Sequence, residues 1–409
     1  MANVDVYVQS ENVGLLAKTA QVDEFSEKHS FTYLADSKQA LSLLMPVRIE
    51  TYDYSGLHPI FQMNLPEGYL REYLERATAK AFGSDDLTVL TLLGNNQIGR
   101  LQYRLEGQVF DDATEVAPEL SEILSSDDEG LFDQLLKRFA LRSGVAGVQP
   151  KMLLDASDMD DVPDDKSTVN LNSYVVKTWG GEFPHLACNE YVCLMLCKNS
   201  GLDVPDFYIS DNGKLFISKR FDIDSDGRAL GFEDFCVLQA KSTKQKYDAS
   251  LESCANTIKQ FVSPQCVSQA LADFFKLTVI NVLVRNGDGH LKNSGIIYDD
   301  LKGYQQGTLP DKIRQLAPIF DVVSTVVYIK NDSMALTLTG SKRWPKWKVL
   351  EQFAVAHCGL SKKKAAVILA DVHQAASDTL PILQDLKKQH EGFSELAGEL
   401  ESLLTKTIS

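Results

Sequence analysis

The amino-acid sequence predicts an α+β protein that is large enough for two or three domains. Its 409 residues have the ordinary composition of a globular protein, with 44% hydrophobic and 24% charged side chains. Segments that alternate like strands occur in the first hundred residues, whereas the pattern from about residue 347 onward is helical. Acidic and polar stretches separate these segments, as is typical of linkers and loops.

The first hundred residues combine strands with a helix. Residues 4–8 alternate like a strand, residues 12–14 are expected to close a hairpin, and residues 31–34 and 41–45 are further strand candidates. From Pro66 onward, the apolar spacing is that of an amphipathic helix, and a proline suits the first turn of a helix.

Two acidic stretches indicate boundaries. Residues 107–130 are interpreted as an acidic linker after an N-terminal subdomain at 1–106. Residues 155–165 are expected to form a loop inserted between two strands. The rest of the chain is then divided into a mixed unit at 131–238 and a helical unit at 239–409.

The net charge of −15 makes the surface as a whole a poor match for nucleic acid. Two basic clusters, at 241–246 and 342–348, depart from that trend. Such clusters are most often solvated loop surface. The functional alternative is a site for phosphate or for another anionic partner.

The seven cysteines, an odd number in a long chain, argue against a disulfide framework. Cys188, Cys193 and Cys197 lie in an apolar helical pattern without a C-x-x-C pair, which predicts buried thiols rather than a metal site. No apolar run approaches the ~20 residues that a membrane span needs. The start of the chain lacks the basic and apolar parts of a secretory signal. We therefore expect a cytoplasmic protein without membrane contact.

Residues 286–293, Asn-Gly-Asp-Gly-His-Leu-Lys-Asn, are the most informative segment. Their two glycines argue against a helix and predict a tight, exposed loop. The loop offers four chemically different side chains: Asp288, His290, Lys292 and Asn293. Asp288 and Asn293 have the spacing of a protein-kinase catalytic loop, in which the Asp orients the acceptor hydroxyl and the Asn holds magnesium. The alternative is a polar turn between buried segments.

Two earlier segments carry groups suited to phosphate binding. In residues 143–154, Gly144 and Gly147 would let backbone N–H groups approach phosphates closely, although such residues also occur in ordinary hairpins. Lys177 lies in a β-branched strand, residues 174–178. It would either point inward and neutralise nucleotide phosphates or lie outward on the strand edge.

Two acidic residues complete the pattern. Glu190, at the start of the cysteine-rich helix, would either pair with Lys177 or stabilise the helix dipole. Asp321 follows an apolar strand after the loop, where a kinase needs a second metal-binding Asp, and the alternative is an Asp that caps a turn. Together the segments occur in the order of a protein-kinase-like fold, and phosphoryl transfer mainly needs positioned phosphates, magnesium and an oriented hydroxyl.

At these residues the chain resembles the HipA family of serine/threonine protein kinases, the toxins of bacterial type II toxin–antitoxin modules. The resemblance covers nearly the whole chain. The N-terminal motifs lie at 41–46, 61–68 and 92–99. The kinase-core motifs lie at 146–151, 189–191, 204–205, 219–222, 233–236, 288–293 and 318–321. The resemblance implies a bilobal kinase-like fold, with an N-terminal α/β lobe that has an added small subdomain and an all-helical C-terminal lobe.

The resemblance also implies roles for matching residues. Lys177 would contact the phosphates of ATP, Asp288 would be the catalytic base, and Asn293 with Asp321 would hold Mg²⁺. Further ATP-binding positions would be Gly144, Val145, Ala146, Gly147, Val148, Gln149, Lys151, His290 and Lys292. Glu233 and the backbone of Phe235 would lie at the hinge that meets adenine.

Members of this family resemble one another in phosphorylating an aminoacyl-tRNA synthetase, which stops translation. A small helix-turn-helix antitoxin, HipB-like, typically neutralises them and represses their operon, so DNA contact would be indirect.

Family members often carry an autophosphorylated serine where this chain has Gly144, and the nearest hydroxyl is that of Ser143. A shift of one residue changes the direction of a side chain, so Ser143 is an alternative phosphosite only. The fold does not fix the acceptor, which leaves a lipid or small-molecule kinase and a nucleotide-free interaction subunit as alternatives.

Overall fold

The structure is a computed structural model. It describes residues 3–23, 26–68, 70–72, 74, 85–94, 97–107, 118–128, 130–139, 151–157 and 171–408. Buried apolar side chains form two cores, one beneath the N-terminal and central sheets and one among the C-terminal helices.

A five-stranded antiparallel sheet organises the N-terminal domain, in the order β4-β3-β2-β1-β5. Its strands are β1 (Asn3–Val8), β2 (Glu11–Asp23), β3 (Ser26–Tyr33), β4 (Tyr52–Ser55) and β5 (Leu101–Leu105). Val4, Val6 and Val8 are buried on one face of β1, as the alternation predicts. The strands predicted at 4–8 and 31–34 are therefore confirmed.

The predicted hairpin exists, but its turn lies at Gln9 and Ser10 rather than at residues 12–14. Both turn residues have positive φ, 49° and 71°. Gly14 is inside β2, where the Phe31 ring packs so closely that a Cβ atom would collide with it. This glycine allows close packing and does not form the turn.

The strand predicted at 41–45 is wrong. These residues form a turn between the isolated bridge partners Ser42 and Met45. Leu41 and Met45 are buried by contacts with other elements, so their apolar character does not report a strand.

The N-terminal domain also contains short helices, one of which, at 86–92, contacts β5. They include α1 (Pro59–Met63) and α2 (Asp86–Leu92). In the helix predicted after Pro66, the described residues Gly68, 70–72 and Leu74 are helical. Leu70 and Leu74 are buried, in agreement with the amphipathic spacing.

The predicted linker at 107–130 contains a short helix. Helix α3 (Leu120–Ser125) lies within it and buries Leu120, Ile123 and Leu124. Their i, i+3, i+4 spacing gives the short helix an apolar face that the acidic composition conceals. Residues 108–117 and 129 lie outside the described residues. Helix α4 (Leu131–Phe139) follows.

A four-stranded antiparallel sheet in the order β6-β7-β9-β8 forms one wall of the candidate site. It contains β6 (Lys151–Ser157), β7 (Leu171–Lys177), β8 (Phe207–Ile209) and β9 (Phe216–Lys219). Residues 155–157 of the predicted acidic loop are still in β6, so the loop does not begin at Asp155. Residues 158–170 are outside the described part of the chain. Helix α5 (Leu186–Asn199) contacts this sheet.

The C-terminal unit is not entirely helical. A three-stranded antiparallel sheet joins β10 (Gly231–Asp234) to β11 (Gly295–Tyr298) and β12 (Arg314–Leu316). The last two strands fall within 239–409 and have four and three residues. Strands this short carry too few residues for a recognisable alternation.

Helices form most of the C-terminal unit. Its helices are α6 (Phe235–Leu238), α7 (Leu251–Phe261), α8 (Pro264–Val284), α9 (Trp347–Ala356), α10 (Lys362–Gln389) and α11 (Ser394–Leu404). Short 3₁₀ turns occupy 243–245, 291–293 and 391–393. The predicted C-terminal helices are therefore confirmed.

Helix α8 requires a correction to the expectation from apolar runs. With 21 residues and a mean hydropathy of 1.4, it is long and apolar enough to cross a membrane, the one such helix within the described ranges. However, 67% of its apolar window is buried inside the protein, which is typical of a core helix. Cys188, Cys193 and Cys197 are buried free thiols, as predicted.

Candidate active site

A cavity of about 800 Å³ lies where three parts of the chain meet. The N-terminal domain contributes Met63, Glu67 and Ile98 to its wall. The central sheet and the helical unit contribute the predicted site residues Lys151, Lys177, Asp288, His290, Lys292, Asn293 and Asp321. Side chains that are up to 170 positions apart in the chain (Lys151 to Asp321) therefore face one space.

Lys177, the last residue of β7, points inward. Its Nζ lies 2.5 Å from Glu190 Oε1 and 2.7 Å from Asp321 Oδ1. Glu190 is fully buried on α5, so it pairs with the lysine instead of serving as a solvated charge at the helix start. Burial alone would lower the pKa of Lys177, but the carboxylates of Asp321 and Glu190 outweigh that effect and raise it. Lys177 is consequently protonated at neutral pH, and its two ion pairs hold the ammonium group in place.

Asp321 connects this ion pair to the 286–293 loop. It adopts a left-handed backbone conformation with φ of 61°, which Asp tolerates better than most other residues do. Asn293 Nδ2 donates a hydrogen bond of 2.8 Å to Asp321 Oδ2. Burial alone would raise the pKa of Asp321, but Lys177 and Lys151 hold it well below its usual range. The carboxylate is therefore ionised at neutral pH.

Lys151 is a buried cation without a counterion among the residues that the structure describes. It faces the same cavity and is 7% exposed, and its ammonium group has no hydrogen bond or ion pair in that part of the chain. Burial lowers its pKa, and so does the nearby Lys177, while Asp321 and Glu190 oppose this. A buried ammonium group without a partner is costly, and an anionic group in the cavity would offset that cost.

The 286–293 loop is tight, as predicted, but only part of it is exposed. Leu291 is fully buried and Asn293 is nearly so, because residues 291–293 form a 3₁₀ turn. Asp288 remains exposed at the cavity. Gly287 lies against the Asp332 carboxylate, where a Cβ atom would overlap it, and its N–H donates to Thr325 Oγ1 at 2.8 Å. This glycine is required by the close approach of a neighbouring side chain.

Tyr247, which the sequence analysis did not identify, contacts Asp288. Its hydroxyl donates a hydrogen bond of 2.7 Å to Asp288 Oδ1, and the His290 ring packs edge-on against it at 5.1 Å. Desolvation raises the pKa of Asp288, and the hydrogen bond from Tyr247 opposes this rise. Burial lowers the pKa of His290 to about 3, so its imidazole is neutral.

Glu67 is a second residue that the sequence analysis did not identify. Its carboxylate lies between two ammonium groups, 3.0 Å from Lys246 Nζ and hydrogen-bonded to Lys292 Nζ. Lys246 ends the basic cluster at 241–246, yet it is buried and paired. That cluster is therefore not simply a solvated loop surface. The available signal was the Leu65-Pro-Glu-Gly motif, which the resemblance alone had singled out.

Glu233 and Phe235, the residues expected at the adenine, are not among the described residues that line the cavity. The Glu233 carboxylate is fully buried and accepts hydrogen bonds from Ser42 Oγ, Leu43 N and Tyr298 Oη at 2.6, 2.8 and 2.5 Å. Phe235 N donates to Ser294 O, and its carbonyl accepts from Gln239 N, so both backbone groups are engaged.

Strand geometry explains why the Glu233 side chain faces away from the cavity. Successive side chains of a strand point to opposite faces. In β10, Phe232 and Asp234 line the cavity, whereas Glu233 between them faces the N-terminal domain. Phe232 belongs to an aromatic wall with Phe221 and Phe320. The Phe221 ring stacks on that of Phe320 and meets that of Phe232 edge-on, with 5.3 Å between ring centroids in both pairs.

The predicted phosphate loop lies outside the described residues: Ser143, Gly144, Val145, Ala146, Gly147, Val148 and Gln149. Within the described ranges, no cluster of three or more His, Cys, Asp or Glu side chains is arranged to hold a metal. Magnesium in nucleotide sites needs only one or two protein ligands besides phosphates and water. The ionised Asp321 carboxylate and the adjacent Asn293 amide fit that chemistry.

Two family models match this chain. The model of the HipA-like C-terminal domain matches residues 143–380, and that of the HipA N-terminal domain matches residues 4–104. The chain belongs to the HipA family. Two relatives from Sinorhizobium fredii are "Putative kinase Y4dM", 25% identical over 81% of this chain and 77% of the relative, and "Putative kinase Y4mE", 28% identical over 70% and 69%.

A solved structure extends the likeness to the fold. HipA of Shewanella oneidensis MR-1, determined in a complex with HipB and operator DNA, matches with a TM-score of 0.69 and 18% identity. The match covers 98% of this chain and 96% of that one. The predicted α+β, kinase-like fold is confirmed, apart from the short strands in the C-terminal unit.

Proposed function

We propose that this HipA-family protein transfers the γ-phosphate of Mg-ATP to a serine or threonine of a protein. The main support is one observation: Lys177 joins Glu190 and Asp321 in a cavity that Asp288 and Asn293 also line. Phosphoryl transfer depends on positioned phosphates, a bound cation and an oriented acceptor, and these residue types can supply all three. The two curated relatives that are named as kinases agree with it.

In this proposal the two lysines bind the phosphates. Lys151 would gain the counterion that the described residues do not give it, and Lys177 would exchange Asp321 for phosphate oxygen. Asp321 and Asn293 would hold Mg²⁺, which neutralises the charge of the β- and γ-phosphates when it is bound. Lys177 and Asn293 each engage one Asp321 oxygen, and each carboxylate oxygen keeps a second lone pair with which it would bind the cation.

Asp288 would orient the acceptor. The acceptor hydroxyl would donate to the Asp288 carboxylate, and its oxygen would form the new bond to the γ-phosphorus as the bond to the bridging oxygen of ADP breaks. Asp288 would then receive the proton. Tyr247 now donates to Oδ1, so the acceptor would use Oδ2 or replace the tyrosine hydroxyl.

The finer proposals rest on family membership. The acceptor would be an aminoacyl-tRNA synthetase, and its modification would arrest translation in the cytoplasm. The partner would be a HipB-like helix-turn-helix antitoxin, as in the solved complex of the Shewanella protein. The net charge of −15 fits a chain that meets DNA only through such a partner.

Incubation of the purified protein with γ-labelled ATP and cell lysate tests the acceptor class. A labelled protein band that is absent with Asp288→Asn supports the proposal, and phosphoproteomics of expressing cells would identify the modified serine. Label in a lipid or small molecule would favour that alternative. If label transfer and a magnesium-dependent thermal shift with ATP are both absent, the protein would instead be a nucleotide-free interaction subunit.

Two further measurements address regulation and partnership. Mass spectrometry after incubation with ATP tests Ser143 as a phosphosite, and Ser143→Ala should remove that modification if it exists. Co-expression with a helix-turn-helix protein encoded beside this chain tests the antitoxin. A stable complex that lowers kinase activity is expected, and failure to co-purify would contradict that assignment.

A further inference from the structure

Glu67 extends from the N-terminal domain to the loop that carries Asp288. It pairs with Lys292, 225 positions later in the chain and inside that loop, and with Lys246. The three side chains are 17%, 10% and 11% exposed, so the charges are largely removed from water. Exposed ion pairs contribute little to stability, but buried ones are sensitive to the loss of a partner.

The charge balance around Glu67 is uneven. One carboxylate stands between two ammonium groups. Burial alone would raise the pKa of Glu67, but Lys292 and Lys246 lower it, so the carboxylate is ionised at neutral pH. Without it, Lys246 and Lys292 would be two buried cations in one wall of the cavity. We expect them to separate, and Lys292 belongs to the loop itself.

A second contact joins the same parts of the molecule. Gln62 of the N-terminal domain accepts a hydrogen bond of 2.9 Å from Thr243 N. Lys246 O accepts one of 3.1 Å from Leu291 N in the loop. Segment 243–247 is therefore held by the N-terminal domain on one side and by the loop on the other. Tyr247, at its end, donates to Asp288.

We infer that Glu67 is a positioning residue, through which the N-terminal domain fixes the 286–293 loop and Tyr247 around Asp288. The N-terminal domain would then be part of the phosphoryl-transfer machinery and not only a surface for partners. This inference rests on the proposed kinase function. Its physical basis is that misplacing a reacting group by about 1 Å can cost on the order of a hundredfold in rate.

Glu67→Gln in the full chain is the test, with Glu50→Gln as the matched control. Glu50 is an exposed carboxylate of the same domain. We expect Glu67→Gln to lower kcat for phosphoryl transfer at least about tenfold and to change KM for ATP less than about threefold, because Lys151 and Lys177 are untouched. Glu50→Gln should behave as wild type. A kcat equal to that of wild type in Glu67→Gln would overturn the inference.

Hydrogen exchange provides a readout without activity. Amides of 243–247 and 286–293 should exchange faster in Glu67→Gln than in Glu50→Gln, with little change elsewhere. Unchanged exchange in both segments would contradict positioning. If wild type shows no phosphoryl transfer, the proposed function fails, while the exchange comparison still decides whether Glu67 holds the loop.

Two further variants separate positioning from general loss of fold. Glu67→Asp keeps the charge and should recover part of the lost kcat. In a double-mutant cycle with Lys292→Gln, the two effects should be less than additive, because both substitutions break one contact. Strict additivity, or a Glu67→Asp variant as poor as Glu67→Gln in a folded protein, would indicate that Glu67 does not act through the loop.

Discussion

Lys151 and Lys177 stand directly opposite each other on β6 and β7, and both face the cavity. Like charges at opposed strand positions are destabilising. Glu190 and Asp321 neutralise Lys177, whereas Lys151 has no counterion among the described residues. This unbalanced pair lies in the part of the cavity where we propose that the phosphates of a nucleotide bind.

Replacing Lys151 should therefore lower the affinity for ATP without lowering the stability of the nucleotide-free protein. We expect Lys151→Met to weaken ATP binding about tenfold, equivalent to ~1.4 kcal/mol, because a phosphate contact is lost. The melting temperature without nucleotide should stay the same or rise, because the substitution removes a buried cation that has no ion-pair partner among the described residues. Titration calorimetry and thermal unfolding measure the two effects, with the exposed Lys38→Met as control. Lower stability with unchanged ATP affinity would contradict this role.

Asp321→Asn should destabilise the protein by roughly 3 kcal/mol at neutral pH, because it removes one of the two carboxylates that pair with the buried Lys177. It should also abolish the magnesium dependence of ATP binding. The folded-state pKa of Asp321 is lowered, so its stabilising contribution is complete above the unfolded pKa of about 4 and declines as pH falls toward the folded value. Denaturant unfolding should show the wild-type advantage at pH 7 and a smaller one at pH 3.5. A constant advantage would be inconsistent with this ion pair.

Asp234→Asn should have the opposite effect on stability. Burial raises the pKa of Asp234 to about 6, so ionisation costs stability as pH rises from about 4 to about 6. Above that range the cost is on the order of 3 kcal/mol. Asparagine can still accept the capping hydrogen bond from Val237 N. Urea unfolding should therefore find the variant more stable than wild type at pH 7.5, with little difference at pH 4.5. Equal stability at pH 7.5 would refute the pKa shift.

Tyr247→Phe tests the environment of Asp288. The tyrosine hydroxyl stabilises the ionised carboxylate, so its removal should raise the pKa of Asp288. The acidic limb of the pH profile of kcat/KM should move to higher pH by up to about one unit. Tyr54→Phe, in the N-terminal sheet, is the control and should leave the profile unchanged. A shift to lower pH would show that the hydrogen bond does not favour the carboxylate.

The sequence allowed prediction of those site residues whose chemistry is tied to local pattern. Lys177 was predicted from a strand with a lysine, and Asp288 and Asn293 from a fixed spacing in one loop. Glu190 and Asp321 followed from their order in the chain. All of these residues line one cavity.

Residues that act through long-range contacts were not predictable in this way. Glu67 meets the loop only because the N-terminal domain packs against the helical unit, and Tyr247 lies 41 positions before Asp288 without a local signature. Asp234 lies in β10, whose four residues are too few for a recognisable alternation, so the sequence did not reveal that Asp234 lines the cavity and that Glu233 faces away from it. Similarly, buried apolar residues at 41–45 pack between elements without forming a strand.

The most direct test of the central claim is the rate of γ-phosphate transfer by wild type and by Asp288→Asn, measured beside their Mg-ATP affinities. We expect wild type to transfer phosphate and the variant to transfer none, while both bind Mg-ATP equally well, because Asp288 orients the acceptor rather than the nucleotide. Transfer by Asp288→Asn at the wild-type rate would contradict the assignment of the site. A wild-type protein that does not bind Mg-ATP would contradict the function as a whole.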